Sequence, residues 1–295
     1  MHTVEAVKRK NCLSFYILLF CAFVFILERD ACASGAQKGI SFCLYGIIPA
    51  VFPYTAVCKM LVKSGCVGHL GIITTGLLCG FPTGANMCSE MYKNGRLDKH
   101  TAEVLCAVTN GMTPTFVIGF VGVYCTKSTQ TGILVYVICA FSAVLYAVVS
   151  KIGLSPRPTE ISQKPFYDVF TESIHETILS VMSLCGYVIF FSVVCEFLKV
   201  FAPFLPSFVL PLVFLFSEIT TGIFNIGTLG TVLSGRMFFS LLCAAVSFSG
   251  VCVHMQVISV CKYAGLSAMR FVTGKCIQSA FSFFISYIVY GIIFG

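Results

Sequence analysis

Gly80-Phe81-Pro82-Thr83-Gly84-Ala85-Asn86-Met87-Cys88-Ser89-Glu90 is the stretch that decides how this chain folds. It follows the apolar run 70–79 directly, yet it holds a proline, two glycines, a threonine, an asparagine and a glutamate. Hydrocarbon offers a backbone no water, so a helix breaks at that depth only where protein or a water-filled cavity satisfies the freed N–H and C=O groups. The break therefore marks a site. A second such stretch, Ser217-Glu218-Ile219-Thr220-Thr221-Gly222, follows the apolar run 210–216 in the other half. Paired interrupted segments in corresponding halves point to the binding site of a transporter.

Composition agrees with a membrane setting. Of the 295 residues 57% are hydrophobic and 11% charged, with a mean hydropathy of +0.93; soluble domains carry about 25% charged residues. The net charge of +7 is spread in short clusters between apolar runs, so it speaks about orientation in the bilayer and not about nucleic acid. The 17 cysteines are scattered, nearly all within apolar runs and without a Cys-x-x-Cys pair, and read as small apolar filler rather than as a metal or redox site. There is no His-Glu-x-x-His, no Walker loop and no Gly-x-Ser-x-Gly, and Asp30, Asp98 and Asp168 all lie outside the apolar runs, which excludes an intramembrane aspartyl protease. No enzyme, cofactor or metal is expected.

Taken in order, residues 1–39 read as a first transmembrane helix and a loop: Lys8, Arg9 and Lys10 precede the apolar segment 12–27, and Glu28-Arg29-Asp30 interrupts the approach to a cleavage site. Residues 40–150 form a first repeat: a span over 40–61 with Pro49 and Pro53 on one face, a hairpin over 70–91, a helix over 101–124 broken at Thr109-Asn110-Gly111-Met112-Thr113-Pro114, and a span over 132–149. Residues 151–165 are a linker. Residues 166–295 form a second repeat: an interfacial amphipathic helix over 166–178, a span over 179–201, a hairpin over 204–229, a helix over 237–261 broken near Ser247-Phe248-Ser249-Gly250, and a closing span over 271–294. The halves echo locally, with Leu105-Cys106-Ala107 ahead of one break and Leu242-Cys243-Ala244 ahead of the other.

The basic residues choose between hairpins that cross and hairpins that turn back. With both re-entrant and the N-terminus inside, 14 of the 19 basic residues lie inside and Arg29, Lys38, Lys127, Lys199 and Arg236 lie outside. With both crossing, the split is 10 to 9. The positive-inside rule prefers re-entrance. The hairpins then enter from opposite faces, and the expected fold is all-α: a polytopic membrane protein with inverted repeats, two re-entrant hairpins and two discontinuous transmembrane helices.

Gly80-Phe81-Pro82-Thr83-Gly84-Ala85 with Ser89-Glu90-Met91-Tyr92 and Gly95 resembles the Gly-[Tyr/Phe]-Pro-x-Gly-Ala stretch of the sporulation integral membrane proteins of the YlbJ type. Asn110-Gly111-Met112-Thr113-Pro114 with residues 116–122 resembles that family's next motif, and residues 249–256 its last. The likeness runs from about Tyr45 to the C-terminus. Asn86, Thr109 and Thr221 depart from the family pattern, at positions where it often has lysine or asparagine. The resemblance implies a nucleoside-recognition ("Gate") architecture similar to concentrative nucleoside transporters and, as function, passage of dipicolinic acid from mother cell toward forespore. It also implies location in the cell membrane or the outer, mother-cell-derived, forespore membrane.

The candidate substrate-binding residues are Thr83, Asn86, Asn110, Thr113, Thr220, Thr221, Ser249, His254 and Gln256, which offer amide, hydroxyl and imidazole contacts beside half-helix N-termini. Glu218 and Glu90 are the candidate ion-coupling residues, because ionisable groups at membrane depth are costly and functional by default. The expected partners are a small aromatic dicarboxylate or nucleoside-like substrate, a coupling proton or sodium ion, the lipid bilayer and a second copy in an oligomer. The alternatives are a nucleoside or nucleobase transporter and, in another class, a non-transporting sporulation scaffold.

Overall fold

The computed structural model describes residues 15–16, 19–63, 69–152 and 165–294. The basic cluster Lys8 to Lys10, part of the expected first helix and most of the 151–165 linker lie outside them. All described secondary structure is helical. Among the described residues five stretches are long and apolar enough to cross a membrane: Arg29–Leu61, Thr129–Val149, Phe166–Phe204, Gly235–Tyr263 and Ala268–Ile293. The protein is thus an all-helical chain with the build of an integral membrane protein.

Two expectations change at the start of each half. Residues 28–39, expected as a loop, continue a helix: α1 (Arg29–Phe42) runs through a π turn, Cys43–Ile47, into α2 (Ile48–Lys63). Exposed charges such as Arg29 and Asp30 cost a helix little at a wet end, and the small residues behind them favour close packing. Gly35 and Gly39 lie one turn apart against α7 (Phe166–Leu198): a Cβ at either would come within 2.6 Å of Val193 Cα or 2.7 Å of Ile189 Cα. This is the small-x-x-x-small contact of membrane helices. The π turn ends two residues before Pro49, which has no N–H for the regular ladder. The second change is α7 itself, one helix of 33 residues where an interfacial helix and a span were expected. No proline lies between 166 and 198 to separate them.

The first hairpin is α3 (His69–Cys79), a turn at Gly80-Phe81-Pro82, and α4 (Thr83–Lys93). Next comes α5 (Lys99–Thr109), capped by Asp98, whose carboxylate accepts from the Thr101 hydroxyl at 2.6 Å and the Thr101 N–H at 3.0 Å. Those two bonds, the hydroxyl first, hold the Asp98 carboxyl below its usual range. The chain leaves the helix at Asn110, resumes as a π segment (Phe116–Cys125), and turns into α6 (Thr129–Val149). Gly122 and Gly132 let that π segment and α6 meet backbone to backbone.

After α7 a 3-10 turn leads to α8 (Val209–Ser217), α9 (Ile219–Phe224) and α10 (Gly227–Val232). Then follow α11 (Gly235–Phe248), α12 (Gly250–Tyr263) and α13 (Ala268–Ile293). α11 and α12 are the most enclosed of the long helices, with 72% of their apolar window buried. Both echoed triplets, Leu105-Cys106-Ala107 and Leu242-Cys243-Ala244, are buried. Cys58 and Cys79, read from sequence as filler, form a disulfide that ties α2 to the end of α3.

Candidate functional site

Four departures from helix converge on one place. Phe81 of the first hairpin turn, Thr113 of the break after α5, Glu218 and Thr220 of the break between α8 and α9, and Ser249 between α11 and α12 all line one cavity of about 20 Å³. Ile47 and Val51, midway along α1–α2, form its wall. A single water needs about 10–15 Å³, so in this conformation the cavity is closed to any organic molecule.

Each hairpin tip is locked to the break of its own half. Gly80 has φ +62°, and a Cβ there would meet the Gly111 carbonyl oxygen at 2.5 Å; the Phe81 N–H donates to that oxygen at 3.2 Å. The Asn110 side chain accepts from the Ala85 N–H at 3.1 Å, at the N-terminus of α4, and donates to the Cys106 carbonyl at 2.5 Å. In the second half Glu218 caps α9: Oε1 accepts from the Thr220 N–H at 3.0 Å and Oε2 from the Thr221 N–H at 2.6 Å. Ser249 and Gly250 both adopt positive φ, and a Cβ on Gly250 would reach the Ser217 carbonyl oxygen at 3.3 Å.

Two wider cavities lie on either side along α1–α2. One, about 550 Å³, is lined by Lys38, Phe42, Ile47, Phe116, Phe120, Thr220 and Phe224 among others, and shares Ile47, Phe116 and Thr220 with the central cavity. Its wall is aromatic: Phe224 lies 4.6 Å from Phe42, 5.3 Å from Phe120 and 4.7 Å from Tyr124, centroid to centroid. The other, about 440 Å³, is lined by Lys59, Asn86, Ser89, Glu90, Lys93 and Glu176 among others, and shares no residue with the central one. Lys38 and Lys59 are 21 residues apart on a nearly continuous helix, roughly 30 Å at 1.5 Å per residue. The three cavities are thus strung along one helix, small in the middle and wide at the ends.

The expected site residues divide among these places. Thr113, Thr220, Ser249 and Glu218 meet at the central cavity. Asn86 and Glu90 line the Lys59 cavity. Gln256 approaches that side through Ser180: its Nε2 reaches the Ser180 carbonyl at 3.5 Å, and the Ser180 hydroxyl accepts from Lys59 Nζ at 2.9 Å. Asn110 is buried in the hairpin-to-break contact, and Thr83 is buried against α2, donating to the Thr55 hydroxyl at 3.3 Å. Thr221 is buried on α9, its hydroxyl without a partner. His254 bonds to the Gly250 carbonyl through Nδ1 at 2.8 Å and sits between the rings of Phe248 and Phe271. Among the described residues, no group of three His, Cys, Asp or Glu side chains is placed to hold a metal.

The sequence reading passed over two groups. Lys275, counted among the inward-facing charges, is 1% exposed inside α13, and Gln278 one turn on is equally buried. The signal was present, two polar residues in an apolar run, but their proximity to a helix end masked it. Lys59, inside the expected span over 40–61, is also buried, against Ser180 and 3.7 Å from Glu176. Compared with known proteins, the chain matches no family model, no curated protein and no solved structure. The likeness to the sporulation membrane family rests on the motifs quoted above.

Proposed function

We propose that this protein is a secondary transporter of a small organic anion, dipicolinate by the resemblance of its motifs, moved from mother cell toward forespore. The observation that carries the reading is the convergence of four chain breaks on one closed cavity, with a wide cavity on each side along α1–α2. Breaks at membrane depth serve a ligand better than a scaffold, because an uninterrupted helix satisfies its own backbone at no cost. The aromatic wall beside Thr220 suits a planar ring, and Lys38 at its rim, paired with Glu196 at 2.9 Å, would exchange that partner for a substrate carboxylate.

The inverted-repeat, re-entrant arrangement belongs to the same proposal. Its arms are short: α3 and α4 have 11 residues each and α8 has 9, so each spans roughly 14–17 Å against a hydrocarbon core of about 30 Å. Half-length arms meeting at a tip reach the middle and return.

Proteoliposomes offered dipicolinate and uridine, first without a gradient and then with proton or sodium gradients, test the reading. Saturable dipicolinate uptake driven by one of the gradients is the expected result. Uptake of uridine instead makes the protein a nucleoside transporter. No flux of either under any gradient overturns transport and favours the scaffold.

A further inference from the structure

Lys275 is a lysine buried in the interior. It lies seven residues inside α13 and is 1% exposed, and among the described residues no aspartate or glutamate pairs with it. Its Nζ donates to the Ser247 carbonyl, at the end of α11, at 3.2 Å. An ammonium carries three donor hydrogens. Gln278, one turn further on, is also 1% exposed, and its amide nitrogen has no hydrogen-bond partner. The nearby ionisable side chains supply no anion: Cys139 donates its S–H to the Cys243 carbonyl, and His254 is bonded to the Gly250 carbonyl.

Lys275 and Gln278 line one small cavity of about 20 Å³, together with Gly111 and Met112 from the first break and Ser247 from the edge of the second. The volume suits a single particle of about water size. A water molecule there would accept a hydrogen bond but leave a protonated Lys275 without a counter-charge, which is costly away from solvent. A monatomic anion accepts from the same donors and cancels the charge. An organic carboxylate is too large for the space.

We propose that this cavity binds a halide, chloride in the cell, held by Lys275 and Gln278 between the two chain breaks. The inference stands independently of the transport reading, because its test is binding. Purified full-length protein is melted in detergent at constant ionic strength and constant sodium, with gluconate replaced stepwise by chloride or bromide. A saturable rise in melting temperature of several degrees is expected with either halide. Lys275→Met removes the charge and the response. Gln278→Glu places a carboxylate one turn from Lys275 in the role of the halide, so this variant folds and melts at a temperature indifferent to the anion. Wild-type melting that is equal in all three salts overturns the proposal, as does a halide response that persists in Gln278→Glu. The second variant decides the matter even where Lys275→Met fails to fold.

Discussion

Glu218 uses the same two oxygens to hold its hairpin that the transport reading needs for a cation. Both accept backbone N–H groups at the start of α9, and the side chain is 1% exposed at the edge of the central cavity. Two unit charges about 6 Å apart at an effective dielectric of about 20 repel by about 3 kcal/mol, so an anionic substrate at Thr220 requires Glu218 to be neutralised by a proton or cation. Glu218→Gln keeps one acceptor and faces the other N–H with a donor. We expect it to lose about 1–2 kcal/mol in unfolding and to take up substrate without dependence on the driving ion. Uptake that keeps its ion dependence would leave Glu218 as a cap alone and move coupling to Glu90. Asn110 is different: it lies in the hairpin-to-break contact and lines none of the three cavities along α1–α2. Asn110→Ala strands the Ala85 N–H and the Cys106 carbonyl and should lower stability by about 2 kcal/mol, read as a fall in detergent melting temperature. The two residues also show what sequence can disclose. An ionisable group inside an apolar run announces itself, as Glu218 did, whereas the partner of Asn110 lies 25 residues away and becomes visible only when the hairpin is folded.

At the scale of elements, the positions of the breaks were legible because Gly, Pro and Asn interrupt otherwise apolar runs, and the chain does leave the helix at Gly80, Asn110, Glu218 and Ser249. Helix continuity was less legible. Charges at 28–30 were read as a stop, and an amphipathic stretch at 166–178 as a separate element, yet neither contains a residue that must break a helix. What extends α1 is its backbone contact with α7 at Gly35 and Gly39. Gly39→Leu should therefore separate α1 from α7 and cost at least the 1–3 kcal/mol of an overpacked contact, while Gly46→Ala, with open space at its Cβ, should leave melting unchanged apart from its helix preference. A similar tie fixes the start of α13. Glu103, 3% exposed, accepts from the Ser267 N–H at 2.8 Å and pairs with Arg270 at 3.1 Å. Arg270 also meets the His100 ring, whose other nitrogen contacts the Ser150 carbonyl. Glu103→Gln keeps the Ser267 bond but removes the charge, and should cost about 2 kcal/mol in unfolding.

At the scale of the whole molecule, the cavities give the arrangement a direction. The Lys38 cavity shares Thr220 with the centre, while the Lys59 cavity shares no lining residue with it, so on the proposed transport reading this conformation leans open on the Lys38 side. Ion pairs hold the other side: Lys63 bonds Glu172 at 2.9 Å and Glu176 at 2.6 Å, joining α2 to α7 beside the Lys59 cavity. Alternating access through re-entrant hairpins then requires the loop after α4 and the end of α6 to lie on one face, because a hairpin that turns back adds no crossing, whereas α5 with its π segment and α6 together add two. Hairpins that cross put the same two points on one face as well, but on the opposite side from the Lys63 end of α2. The discriminating comparison is therefore three positions. Single cysteines at Lys63, Asn94 and Lys151, in a background freed of reactive thiols, should all label from the cytoplasm of the cell that makes the protein when probed with a membrane-impermeant maleimide. Lys63 labelling from the cytoplasm with Asn94 and Lys151 labelling from outside would return the first hairpin to an ordinary single span. The inverted repeat would fall with it, since the first tip could no longer face the second from the opposite side of the bilayer.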